Sequence, residues 1–214
     1  MIRVYKSPNA PQSLSTTKAY DGADVQQQLE GDHHKKCYLC ERSLCTDFQI
    51  EHHQSQENHP ELRQDWNNLF WSCGYCNGKK GMNFDNMLDP VVTNIEDEIM
   101  QELDFTKKQA TFTAIGQTDK HYRTCEFLSR IHNGTNKLKI RTKREENYFE
   151  YIFGVVSNFY RLVSQYLSDT SKANEELVRE ELSIDKECLG FKYWIIKKHQ
   201  QLSIIFANDI VWNK

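Results

Sequence analysis

Cys37-Tyr38-Leu39-Cys40 and Cys73-Gly74-Tyr75-Cys76 are two knuckles that enclose Ile50-Glu51-His52-His53, and the second runs straight into Asn77-Gly78-Lys79-Lys80-Gly81. A Cys-x-x-Cys turn presents two thiolates from one tight bend, so two such turns supply the ligands of a closed tetrahedral Zn²⁺ site. Four sulfurs saturate the metal. Zinc at Cys37, Cys40, Cys73 and Cys76 is therefore expected to be structural, and any chemistry must come from the groups that it holds in place. From about residue 35 to 90 the chain is rich in turn formers, His, Asn and Cys, with only short apolar pieces at Phe48-Gln49-Ile50 and Leu69-Phe70-Trp71. That pattern predicts two short strands and one short helix starting near Asn77. Its thin aliphatic content is the situation in which a structural metal contributes folding energy outright.

Working outward, the 214 residues are 38% hydrophobic and 27% charged, enough to bury a core. The formal net charge of −3 makes the whole chain a poor non-specific binder of polyanions, so any nucleic-acid contact must be local. Lys79 and Lys80 are one candidate contact. The run Lys137, Lys139, Arg141, Lys143, Arg144 is the other, and it reads equally well as the solvated start of a long helix. Seven cysteines are an odd number for a disulfide framework. Cys45, Cys125 and Cys188 are left over as free thiols, with Cys45 close enough to the first knuckle to compete as a ligand. His33 and His34 read as exposed turn residues, and His53 and His59 as loop residues. No run of about 18 apolar residues and no basic-then-apolar leader is visible, so the expected address is the cytoplasm, away from any membrane.

Residues 1–90 are expected to hold an N-terminal arm and the zinc-bearing module, with a short strand at Ile2–Tyr5 and helix near Asp24–Leu29. Residues 91–214 are expected to be a hairpin and a helical region. Leu103-Asp104-Phe105 and Ala110–Ile115, parted by Lys107-Lys108-Gln109, alternate as hairpin strands do. Helical spacing then takes over: Leu128 and Ile131 in one segment, Tyr148 to Tyr166 in a long second, Phe191 to Phe206 in a third. The aromatic stripe from Tyr148 to Tyr166 reads as core. The fold class expected is α+β, mostly helical, with a small ββα module docked on the helical region.

At a strand end, Glu51 and His52 can both be turned toward one cleft by the loop that follows. Glu51 is a hard oxygen ligand suited to Mg²⁺ or Mn²⁺, and His52 is a base with an ordinary pKa of about 6.5. Asn77, one residue past the last cysteine, could add its amide oxygen to the same cation. A cation so held stabilises charge on a phosphate and its leaving oxygen, and the reaction class inferred is phosphodiester hydrolysis.

The series Cys37-x-x-Cys40, Ile50-Glu51-His52, Trp66-Asn67-Asn68-Leu69, Cys73-x-x-Cys76-Asn77 and Lys80-Gly81 resembles the HNH, or ββα-metal, nuclease family. The resemblance implies that Glu51 binds the catalytic cation, His52 is the general base, Asn68 orients the loop and the base, and Asn77 completes the metal site. Many members carry histidine where this chain has Asn77. The Trp-x-Asn-Leu segment, the Cys-x-x-Cys-Asn-x-x-Lys-Gly ending and Asp89-Pro90 are similar, more narrowly, to the PtuB family of Septu anti-phage systems, some of which are joined to retrons. That narrower likeness implies a PtuA-like ATPase of the ABC/SMC type as partner, and nucleic acid, DNA in preference to RNA, as substrate. The alternative is a catalytically silent zinc-binding interaction or nucleic-acid-binding protein.

Overall fold

A computed structural model of the chain describes residues 1–43, 46–135 and 140–212. Cys45, Lys137 and Lys139, named above, lie outside the described residues. The first eleven residues form an extended arm, and the strand expected at Ile2–Tyr5 does not form. The arm's amides go elsewhere: Arg3 N donates to Glu96 Oε2 at 2.8 Å and Val4 N to Pro90 O at 2.8 Å. Two helices follow, α1 (Gln12–Thr16) and α2 (Ala23–Asp32). The first knuckle closes directly after them, with Cys37 N donating to Arg42 O at 3.0 Å and Glu41 N to Cys37 O at 2.8 Å.

Strand β1 (Gln49–His52) pairs antiparallel with β2 (Leu69–Ser72), setting Glu51 opposite Phe70 and His52 opposite Leu69. Helix α3 (Gly74–Lys80) begins three residues before the expected start at Asn77. The physical reason is the second knuckle itself: Cys73 is the N-cap, and its Sγ accepts from Cys76 N at 3.4 Å. The helix stops at Gly81, whose φ of 50° lies on the left-handed side that a Cβ disfavours. These three elements form the expected ββα unit.

Short 3₁₀ turns span Pro60–Leu62, Trp66–Asn68 and Gly81–Phe84, and the remaining elements are α4 (Ile95–Glu98), β3 (Ile99–Asp104), β4 (Gln109–Ala114), α5 (Asp119–Asn133), α6 (Lys143–Ser168), α7 (Lys172–Glu181), α8 (Leu189–Lys197) and α9 (Gln200–Ile205). Strands β3 and β4 pair antiparallel from Ile99↔Ala114 to Asp104↔Gln109, a longer hairpin than the one read from sequence. Helix α6 starts with a capping box: Glu145 N donates to Thr142 Oγ1 and Thr142 N to Glu145 Oε2. Such a cap contributes about 1 kcal/mol. The expected single helix over Phe191–Phe206 is two, because His199 interrupts it and caps α9 by accepting Leu202 N at its Nδ1. Helix α7, with mostly charged and polar residues, was not anticipated. Helices make up about half of the chain, so the α+β class holds with less helix than expected.

Two apolar clusters hold these parts together. The larger joins Val25 and Leu29 of α2, Phe70 of β2, Ile99 of β3, Phe127 of α5 and the start of α6, with residues from both sides of position 90. The smaller joins Phe159, Val163 and Tyr166 of α6 to Val178, Ile196 and Phe206. Helix α6 threads both; Tyr148, Phe149, Phe159 and Tyr166 of its aromatic stripe are core as expected, whereas Tyr151 and Tyr160 face outward and are exposed. Close packing makes a demand at Gly190: a Cβ there would sit 2.5 Å from the Gln101 side chain, so glycine lets α8 approach β3, to which Trp194 Nε1 of the same helix donates at Ile99 O.

Candidate functional site

The four knuckle thiols are buried and their sulfurs lie within 4.8 Å of one another, with Cys40 and Cys73 4.0 Å apart. A tetrahedron with zinc–sulfur bonds of about 2.3 Å has edges of about 3.8 Å, so the cluster has the size and the soft donor set that zinc takes. Disulfide bonding would need the pairs far closer. Burial pushes the Cys40 and Cys76 thiols well up. Cys37 goes the other way: burial raises it, but hydrogen bonds from Cys40, Cys73 and Cys76 outweigh that and hold it well below its ordinary value. Four buried sulfurs this close together could hold a metal such as zinc. Among the described residues this is the one cluster of three or more His, Cys, Asp and Glu side chains converging like ligands.

Beside that cluster a cleft of about 470 Å³ is lined by Glu51, His52, Ser55, Gln56, Asn77 and Met82 among others. Glu51, His52 and Asn77 are thus on one cleft wall. His52 is nearly buried, and its Nε2 lies 2.9 Å from Arg63 O. A carbonyl only accepts, so Nε2 carries the proton and Nδ1 keeps its lone pair, toward which the Gln56 amide donates at 3.2 Å. Burial lowers the His52 pKa, the Arg63 carbonyl opposes this, and the Arg63 and Lys80 charges add to the lowering. Tyr20 packs edge-on against the ring at 4.9 Å.

Glu51 is buried, with both oxygens occupied: Oε2 accepts from the Tyr38 hydroxyl at 2.8 Å and Oε1 lies 3.0 Å from Lys80 Nζ. Burial raises its pKa, with Lys80 and Tyr38 acting against the rise. Asn77 is half-buried and gives its amide N–H to Gln49 Oε1 at 2.7 Å, which leaves its oxygen for a ligand. Asn68 does not line the cleft. Its Oδ1 accepts from Gln54 N at 2.7 Å and its Nδ2 donates to Gln54 O at 3.0 Å and Leu62 O at 3.2 Å, so it laces together the loop from which Arg63 holds His52.

The lysines are placed differently from the expectation of phosphate contacts. Lys80 is wholly buried and serves as counter-ion to Glu51, with a further bond to His52 O at 3.0 Å and Asp85 Oδ1 3.6 Å away. Lys79 pairs with Glu145, whose carboxylate this lysine and the capping box hold down to about 2 in spite of burial. His33 and His53, read as an exposed turn and a loop residue, are both buried, and burial pushes each down to about 3. His33 is taken inward because its Nδ1 bonds Leu29 O at 2.8 Å and its ring meets Phe70. Tyr38, Arg63 and Asp85 are site residues that the sequence does not announce. Asp85 clamps the far side of the loop through Ser55 N, Ser55 Oγ and Asn58 Nδ2, at 2.6–2.9 Å.

No family model matches the chain. It is similar to Septu protein PtuB of Bacillus thuringiensis, with 37% identity over 60 residues, which are 27% of this chain and 23% of that protein. The match thus spans less than a quarter of the relative's length. No helix among the described residues is long and apolar enough to cross a membrane.

Proposed function

We propose that this chain is a metal-dependent HNH endonuclease, the nucleic-acid-cutting component of a Septu-type anti-phage system, working in the cytoplasm with a PtuA-like ABC/SMC-type ATPase. The observation that carries the reading is the cleft wall: a hairpin and short helix, joined by a four-sulfur cluster, bring Glu51, His52 and Asn77 to one hollow. The partial likeness to Septu protein PtuB supports the defence context.

In this reading zinc at Cys37, Cys40, Cys73 and Cys76 is structural. Glu51, in place of its pairing with Lys80, and the Asn77 oxygen would hold Mg²⁺ or Mn²⁺, which would supply charge stabilisation at the scissile phosphate. The base is Nδ1 of His52, since Nε2–H is spent on Arg63 O. A pKa lowered by burial keeps that nitrogen unprotonated near neutral pH, ready to take a proton from attacking water. Asn68 and Arg63 fix the ring. DNA is the favoured substrate.

One observation favours the second reading, a catalytically silent zinc-binding protein: Glu51 is already neutralised by Lys80. The two readings separate on His52→Ala, tested by cleavage with added Mg²⁺ and by phage protection in cells that also make the cognate ATPase. The nuclease reading requires loss of both with zinc content unchanged. Protection equal to wild type at matched expression would leave the silent reading standing.

A further inference from the structure

Lys6 sits in the N-terminal arm, far in sequence from the cleft, and its ammonium is directed inward. Its Nζ donates to Trp66 O and to Leu69 O, the latter at 2.5 Å. These are the carbonyls of the first residue of the Trp66–Asn68 3₁₀ turn and of the residue that ends it, so one ammonium bridges the two ends of the turn. The group lies over the Trp66 ring at 3.8 Å and the Phe70 ring at 4.9 Å. The arm is fastened there independently of Lys6. Trp66 Nε1 donates to Ser7 O at 3.0 Å, and Ser7 N and Oγ donate to Asp32 at 2.7 and 2.6 Å.

The clamped turn carries Asn68, and Asn68 carries the loop. Its three side-chain bonds reach Gln54 and Leu62, and its backbone O accepts from His53 N at 2.9 Å. Leu62 is followed by Arg63, whose carbonyl selects the His52 tautomer. Every link in this chain is a hydrogen bond to main chain or a peptide bond, so a displaced turn is passed on as a displaced carbonyl.

The geometry points to Lys6 as a positioning residue for His52: through the Trp66–Leu69 carbonyls, Asn68 and the Leu62-Arg63 peptide, it fixes which ring nitrogen of His52 is free to take a proton. This rests on the reading of His52 as the base. The ammonium is where such a clamp needs a strong donor, because a neutral side chain would meet two carbonyls and two aromatic faces with fewer hydrogens and no charge. Burial drives the Lys6 pKa down to about 7, with Asp32, Asp65 and Asp89 opposing. The amine donates in either state.

Lys6→Met keeps the stem over the rings and removes both donors. The first readout is ¹⁵N NMR of labelled histidine in zinc-loaded protein. Wild type should show His52 protonated at Nε2 alone. In Lys6→Met, with zinc content and far-UV spectrum unchanged, His52 should populate both tautomers, and its Nε2–H should exchange faster with water. The second readout is cleavage in the presence of the ATPase, where kcat should fall about 10²-fold with KM unchanged, the cost of a misplaced group. Should Lys6→Met fail to fold, Lys6→Gln keeps a polar group in the arm but is too short to carry its amide to the position of the ammonium, and the same loss of a single tautomer is expected. A single Nε2–H tautomer retained in whichever variant folds overturns the proposal. The NMR result does not depend on catalysis, so wild-type protection by His52→Ala would remove the nuclease reading without deciding this one.

Discussion

Replacing Lys80 by Met tests the electrostatics of the cleft wall most directly. The Lys80 side chain is fully buried and Glu51 is 5% exposed, with their charges 3.0 Å apart. At an effective dielectric constant of about 20, such a pair attracts by about 5.5 kcal/mol. Met fills the space of the stem but leaves the Glu51 carboxylate buried with only the Tyr38 hydroxyl. Removing one partner of a buried pair costs about 3–5 kcal/mol, and the lost bond to His52 O belongs within that figure. Lys80→Met should therefore lose about 4 kcal/mol in urea denaturation of zinc-loaded protein, with an unchanged m-value. Lys80→Met combined with Glu51→Gln should recover most of this, because the remaining amide can still accept from Tyr38 and carries no charge. A coupling of at least about 2 kcal/mol in the double-mutant cycle is expected. A single-mutant loss below about 1 kcal/mol, or strict additivity in the cycle, would refute the buried-pair account.

Cys73→Ser should lose zinc, measured by elemental analysis, together with stability, since a structural zinc contributes on the order of 10 kcal/mol and Cys73 also caps α3. Full zinc occupancy in that variant would reject the ligand assignment. Cleavage by fully zinc-loaded protein should need added Mg²⁺ or Mn²⁺; undiminished cutting after removal of every other divalent ion would reject a second metal role. His132 is buried against Phe112, Tyr148 and Phe191, its Nδ1 has no partner among the described residues, and burial lowers its pKa to about 3. Unfolded, it takes a proton near pH 6.5, so stability is lost as pH falls from about 6.5 toward about 3, at up to about 1.4 kcal/mol per pH unit. The stability gap between His132→Phe and wild type, followed by urea titration at pH 7, 6 and 5, should widen in the variant's favour on acidification; a gap independent of pH would show that His132 is not held neutral.

What the sequence reveals follows the range of the interaction involved. The knuckles are legible because each is a local turn whose spacing fixes its geometry, and β3–β4 because alternation marks a half-buried strand. Glu51, His52 and Asn77 reach one cleft wall because a strand end and a helix start leave little freedom between the two cysteine pairs. The carboxylate partners of Lys79 and Lys80 are not legible because a lysine looks the same in sequence whether its ammonium meets solvent or a carboxylate. Glu145, the partner of Lys79, is 66 residues away. His33 and His53 are inside for a similar reason, since their burial is decided by Phe70 and the loop around Asp85. The arm shows a further limit: Ile2–Tyr5 has strand composition but finds no strand edge, and its amides bond to Pro90 and Glu96 instead.

Helix α3 has three attachments of unlike kind. Cys76 belongs to the sulfur cluster, the Tyr75 hydroxyl donates to Ile131 O of α5 at 2.8 Å with its ring stacked on Tyr148, and Lys79 grips Glu145 of α6. A seven-residue helix on its own frays within the time of a backbone fluctuation. Here fraying would have to break bonds to three other parts of the molecule at once, so the amides of α3 can become solvent-accessible only in openings that also involve α5 and α6. In native-state hydrogen exchange α3 would then protect with the slowest amides of those long helices, and the loop from Ser55 to Asp65, whose backbone bonds close only short turns within itself, would open in a separate and less costly step.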